Sequence, residues 1–166
     1  MNSKKTNLLI FIINDVKFAV DALNITEVIR IQKINKIYKL PIFIKGIINY
    51  RSVSIPVLDL RERFGLIPSA AELQNRIIIV KLKKPDSGSD YFSAGFVVDK
   101  VDEVISIDEK FFEPPPQMTT GIENKFLKGI YKLNSETIIE LDIEKILTSC
   151  EKIELVKSVK ELKIDN

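Results

Sequence analysis

The sequence predicts an all-β protein, and three observations carry that expectation. Ten short apolar or alternating runs are each bounded by turn residues, blocks of residues recur in the same order in the two halves, and only two stretches have helical spacing.

Taken in order, residues 7 to 13 and 16 to 20 are strand-like and flank Asn14-Asp15, a pair able to take the positive φ angles of a tight hairpin turn. Further strands are expected at 25 to 31, 46 to 50, 53 to 58, 76 to 82, 91 to 98, 101 to 107, 127 to 133 and 136 to 141. Asp59 can cap a short helix over 60 to 64, with Glu62 at its third position and Gly65 just past its end. Lys84-Pro85-Asp86-Ser87-Gly88-Ser89-Asp90 reads as a flexible hairpin loop, and Pro114-Pro115-Pro116 as a rigid connector. Near the end, Ile143, Ile146, Leu147, Cys150, Ile153, Val156, Val159 and Leu162 recur mostly three or four apart, which predicts an amphipathic helix and a helical tail over 149 to 166.

Residues 43 to 64 align with 126 to 147 at a constant offset of 83. Phe43 meets Phe126, Lys45 meets Lys128, Gly46 meets Gly129, Ser52 meets Ser135, and Leu58-Asp59 meets Leu141-Asp142. Upstream, Phe18-Ala19-Val20-Asp21 resembles Phe96-Val97-Val98-Asp99, and Glu27-Val28-Ile29 resembles Glu103-Val104-Ile105. Matched Ile and Val pairs arise easily between strands, whereas matched Gly, Asp and Glu in order indicate duplication. Each half, about 7 to 64 and 76 to 148, is therefore expected to hold about five strands and an Asp-capped helix, the content of a small barrel. Two such barrels side by side leave a groove between them.

Composition narrows the chemistry. The 166 residues are 45% hydrophobic and 29% charged, with a formal net charge of +2, one Cys and no His or Trp. Without histidine there is no Ser-His-Asp or Cys-His nucleophile and no imidazole metal site. A single Cys150 allows no internal disulfide, and it is expected to be a buried small apolar residue. No Gly-rich phosphate loop occurs, and basic and acidic residues are interspersed, so neither nucleotide chemistry nor nucleic-acid binding is expected. The apolar run Leu8 to Ile13 is six residues long and has no cleavage site after it, and no run approaches the roughly 20 residues that span a bilayer. These features predict a cytoplasmic protein with no catalytic residues, no cofactor, no metal and no membrane insertion.

The run Leu40-Pro41-Ile42-Phe43-Ile44-Lys45-Gly46-Ile47-Ile48-Asn49-Tyr50-Arg51, followed by Ile55-Pro56-Val57-Leu58-Asp59-Leu60, resembles the signature of the CheW family of chemotaxis coupling proteins. Ile25-Thr26-Glu27-Val28-Ile29, Ala94-Gly95-Phe96-Val97-Val98-Asp99 with Val101 and Val104, and Phe126-Leu127-Lys128-Gly129 extend the resemblance over about residues 7 to 148, so the whole chain reads as one CheW-like domain. The chain departs from the family pattern at Ser52, where Gly is usual, and at Tyr50, where Leu is common, which puts the geometry of that turn in question.

The resemblance implies two SH3-like five-stranded barrels and a non-catalytic adaptor. Its implied partners are the cytoplasmic tip of chemoreceptors, the regulatory domain of a chemotaxis histidine kinase, and other copies of itself in array rings. It places receptor binding on Ile25, Glu27, Val28, Gly46, Asn49, Arg51, Gly95, Val101 and Val104, and kinase binding on Val53, Ile55 and Met118. Read from the residues alone, the glycines serve backbone clearance and Arg51 is a turn residue whose five donors suit a carboxylate or carbonyl oxygens, with Glu27 the residue best placed to orient it. A stand-alone double barrel binding a peptide or small ligand in another pathway is the alternative.

Overall fold

A computed structural model describes residues 4–86, 88–115 and 121–164. The chain opens with a hairpin of β1 (Lys5–Ile13) and β2 (Val16–Asp21). Asn14 and Asp15 take φ of 53° and 64°, so two residues reverse the chain in a turn whose twist matches the strands. The same solution recurs at Arg51-Ser52 (50° and 65°) between β4 (Ile44–Tyr50) and β5 (Val53–Asp59), and at Asn134-Ser135 (49° and 68°) between β10 (Leu127–Leu133) and β11 (Glu136–Leu141). The remaining strands are β3 (Ile25–Arg30), β6 (Arg76–Lys83), β7 (Tyr91–Val98), β8 (Lys100–Asp108) and the short β9 (Phe112–Glu113). All ten expected strands form; β9, two residues long, carries too little pattern to be read in advance.

Helix α1 (Leu60–Arg63) is capped as expected, with the Asp59 carboxylate accepting from Glu62 N at 3.2 Å and Gly65 at φ 77° beyond its end. Helix α2 (Ser149–Ile164) starts with a reciprocal capping box: Thr148 Oγ1 accepts from Glu151 N at 3.1 Å, and the Glu151 carboxylate accepts from Thr148 N at 2.8 Å. Its apolar stripe does not all go inward. Leu155 is buried, but Cys150, expected in the core, is exposed, and Ile153 is exposed too. Lys152 takes the inward position instead, because its ammonium meets Glu144 at 2.7 Å while its methylene stem packs.

Two sheets result, ordered β8-β1-β2-β11-β10-β9 and β3-β6-β7-β5-β4. The edge strands of the first, β8 and β9, are consecutive in the chain, and in the second the segment after β3 returns to pair Asn35 with Ile47 of β4. Each sheet thus curls into a barrel that leaves no long open edge. The expectation that each contiguous half makes its own barrel is corrected: β1 and β2 belong with β8, β10 and β11, and β6 and β7 with β3, β4 and β5, so the halves exchange their hairpins.

The repeat survives this exchange. Register shifts fall between Ile44 and Gly46 and again between Leu127 and Gly129, and the Asp59 and Asp142 amides donate to the Phe43 and Phe126 carbonyls at 2.8 and 2.9 Å. Ile25 opposite Val80 matches Val101 opposite Phe11, as the Glu27 and Glu103 alignment requires. The alignment of Phe18 with Phe96 is two residues out. Ala19 faces Glu140 as Gly95 faces Val57, so Ala19 matches Gly95. A slip of two preserves the inside-outside alternation, and hydrophobic pattern is blind to it.

Successive residues of the central strands feed different cores. Leu8 and Ile10 face the interior of the first barrel with Tyr131 and Ile138, and Ile77 and Ile79 face that of the second with Ile48 and Ile55. Leu9, Phe11, Phe18, Ile78, Val80 and Phe96 meet in a third cluster that joins the barrels, crossed by a chain of rings through Phe11, Phe18, Phe64 and Phe126 with centroids 5.4 to 6.0 Å apart. Arg63 lies over both Phe43 and Phe126, residues matched by the repeat.

Candidate functional site

The Arg51-Ser52 turn projects beyond the second barrel, with Arg51 74% exposed and Glu27 of β3 30% exposed. Arg51 Nη2 donates to Glu27 Oε1 at 3.3 Å. The pair crosses the seam where β3 and its following segment close the barrel against β4. Tyr50 completes the arrangement: its ring underlies the guanidinium at 5.2 Å, and the neighbouring Glu27 carboxylate holds the phenol pKa above its ordinary value. Beside it, the Gln32 amide donates to Asn49 O and Ser54 Oγ to Asn49 Oδ1, each at 3.2 Å.

The structure therefore brings Glu27, Asn49 and Arg51 together, with Ile25 and Val28 half-buried beside them against the joining core. Val101 and Val104 occupy the matching places of β8 in the other barrel, Val101 half-buried and Val104 58% exposed. Gly46 and Gly95 offer no surface. Both are buried, and a β-carbon at Gly46 would lie 2.1 Å from Asn35 O and at Gly95 2.7 Å from Ile77 Cγ2. Of the residues named for the kinase, Val53 is exposed, Ile55 is 3% exposed inside the second barrel, and Met118 lies outside the described residues. Tyr50, Gln32 and Ser54 were not singled out in advance as site residues. The replacement of an aliphatic residue by Tyr beside Arg was the available signal for the first, while the other two depend on barrel closure.

Among the described residues no cluster of carboxylates or thiols could hold a metal, and no helix is long and apolar enough to cross a membrane. The arrangement presents a mostly exposed guanidinium with one donor committed to Glu27, bordered by amides and half-buried aliphatic side chains.

A family model described as a CheW-like domain matches residues 7–151. The chain is 28% identical over 153 residues to the chemotaxis protein CheW of Treponema pallidum, covering 91% of this chain and 87% of that one. It is 31% identical over 147 residues to the chemotaxis protein CheW of Thermotoga maritima, covering 87% and 89%. Among solved structures it matches the scaffolding protein TtCheW of Thermoanaerobacter tengcongensis with a TM-score of 0.78 and 35% identity, over 88% of this chain and 96% of that one. The double barrel, the signature turn and a match that spans nearly all of the sequence lead to one assignment: the chain belongs to the CheW-like domain family.

Proposed function

We propose that this protein is a non-catalytic adaptor of a cytoplasmic chemotaxis array, coupling the cytoplasmic tip of chemoreceptors to the regulatory domain of a histidine kinase. The observation that carries the reading is the Arg51–Glu27 pair, held across the barrel seam by Tyr50 on a surface with no stabilising work of its own. An exposed pair contributes about 0–1 kcal/mol to folding. A guanidinium kept in a fixed direction, with free donors, instead suits docking onto a carboxylate or carbonyl row of a receptor helix. Ile25, Val28 and Asn49 border that contact, and Val101 and Val104 offer the related strand of the other barrel. On the kinase side, Val53 is the available apolar residue, while Ile55 supports it from within. Pseudo-symmetry gives two similar barrel ends, the property that lets kinase domains and further copies join head to tail.

Co-sedimentation of the purified protein with receptor cytoplasmic fragments and with the kinase tests the reading. Binding to both, at low and moderate salt, is the expected result. Failure to bring down either partner would refute the adaptor.

A further inference from the structure

Between Glu27 and Asp59 the sequence holds no acidic residue, yet it holds Arg30, Lys33, Lys36, Lys39, Lys45 and Arg51. Many cations elsewhere sit in ion pairs, among them Lys17 with Glu136, Arg61 with Asp99, Arg63 with Glu151 and Lys128 with Glu140. Among the described residues, no carboxylate lies within ion-pair distance of Arg30, Lys33, Lys36 or Lys39, and all four are exposed. They lie on the end of β3 and the connector to β4, where Tyr38 and Ile42 are 83% and 81% exposed. The connector is held in place, with Asn35 and Ile47 exchanging two backbone hydrogen bonds of 2.8 Å.

The fold supplies its own control. Asn35 opposite Ile47 and Glu113 opposite Ile130 occupy matching positions, so the connector from β8 to β9 is the structural counterpart of this one. That counterpart holds Glu109 and Lys110, with Asp108 at the end of β8 before it and Glu113 in β9 after it, and Glu109 and Glu113 are met by Lys4 and Lys132 at 4.0 and 3.6 Å. Closing a barrel does not require a basic connector. One end of a pseudo-symmetric molecule is basic and unpaired, and the other is acidic and neutralised.

We propose that the connector 31–43 is a docking surface for an acidic protein segment, whose carboxylates meet Lys33, Lys36 and Lys39 and whose apolar side chains cover Tyr38 and Ile42. Its charge tells an acidic partner which of two similar ends to take. A protein partner fits better than a bilayer. The backbone is a pinned, irregular connector rather than an amphipathic helix able to lie in a lipid interface, its exposed apolar side chains are few, and the adjacent Gln32 and Asn49 offer directional amides. The surface adjoins the Arg51 site but does not depend on it.

The test uses the full chain and, as a probe, a synthetic helical peptide with a Leu face and a Glu face, alongside its Lys-for-Glu counterpart and vesicles of mixed phosphatidylserine and phosphatidylcholine. Backbone amide shifts on titration should map the Glu peptide to residues 30–44. Raising salt from about 0.05 to 0.5 M should weaken it about tenfold or more, as screening requires. The combined variant Lys33→Glu, Lys36→Glu, Lys39→Glu should melt as the parent does, because these side chains have no partners to lose, and should lose the peptide about tenfold or more. No binding of the Glu peptide, equal binding of the Lys peptide, or unchanged binding by the variant would overturn the proposal. Vesicle binding without peptide binding would replace the protein partner with a membrane, and concentration-dependent self-association abolished by the variant would replace it with a second copy.

Discussion

The carbonyl oxygen of Asn35 stands 2.1 Å from the position a β-carbon would take on Gly46, whose φ is 142°. Barrel closure and the glycine are one feature: the segment that seals the second barrel crosses β4 where β4 has no side chain. At the matching place in the first barrel a β-carbon on Gly129 would meet the Phe112 ring at 2.2 Å and Glu113 O at 2.7 Å. Gly46→Ala is expected to destabilise by about 3 kcal/mol or more, since the obstruction is backbone and the conformation is one that L residues avoid. Gly129→Ala should cost less, because part of its obstruction is a ring that can move. Gly95→Ala, against Ile77 and with Ala19 tolerated at the matching position, should cost only about 1–3 kcal/mol. Chemical denaturation of the three variants gives the order, and a Gly46 variant with parental stability would separate closure from the glycine.

Ser52 is the second residue of a two-residue turn at φ 65°. A side chain there is tolerated at a cost on the order of 1 kcal/mol, which glycine avoids. Ser52→Gly should therefore raise the unfolding free energy by about 0.5–1 kcal/mol, and Ser135→Gly, at φ 68°, should do the same in the other barrel. Denaturant midpoints of the two variants are the measurement; a loss of stability in both would show that the serine turns are not strained.

The sequence made the strands legible because their turns are marked: Asn14-Asp15, Arg51-Ser52 and Asn134-Ser135 each separate two apolar runs, and all three are two-residue hairpins. The exchange of hairpins between halves was not legible, since a strand's pattern records that it has neighbours and not which ones. Cys150 was misplaced for a related reason. Helical spacing showed a stripe, but which members of the stripe reach the core depended on how the helix packs, with Glu144, ahead of the helix, receiving Lys152. At the site, Arg51 and Glu27 were legible as a pair, whereas the Tyr50 contribution and the Gln32 amide required the closed barrel.

Glu140 is 3% exposed at the place where the second barrel has Val57. Burial raises its pKa, Lys128 at 3.3 Å lowers it, and the nearby Asp21 carboxylate raises it again, with a net upward shift. A carboxyl whose folded pKa exceeds its unfolded value favours folding when protonated. Its contribution is complete below the unfolded pKa and is lost as pH rises through the folded one. Glu140→Gln should accordingly gain stability over the parent near neutral pH, and the gain should shrink as pH falls toward the ordinary carboxylate range. Paired melts of parent and variant across that range check the sign; a gain that grows on acidification would contradict it.

Arg51 is expected to divide binding from folding. Its side chain is mostly in solvent and its pair with Glu27 is long, so Arg51→Glu should change the unfolding free energy by no more than about 1 kcal/mol. The new carboxylate would face Glu27, expel the ring contact from Tyr50 and reverse the charge offered to a partner. When a charged contact is desolvated on binding, truncating one member costs on the order of 2–5 kcal/mol, and reversal costs at least as much. Receptor-fragment affinity should therefore fall by a factor of about 30 or more while kinase affinity, which this reading places at the barrel ends, stays near the parental value. Tyr50→Phe sharpens the test: it keeps the ring beneath the guanidinium but removes the hydroxyl that neighbours Glu27, so a smaller loss of receptor affinity is expected with the fold unchanged. Full receptor affinity in Arg51→Glu, or equal losses for receptor and kinase, would remove Arg51 from recognition.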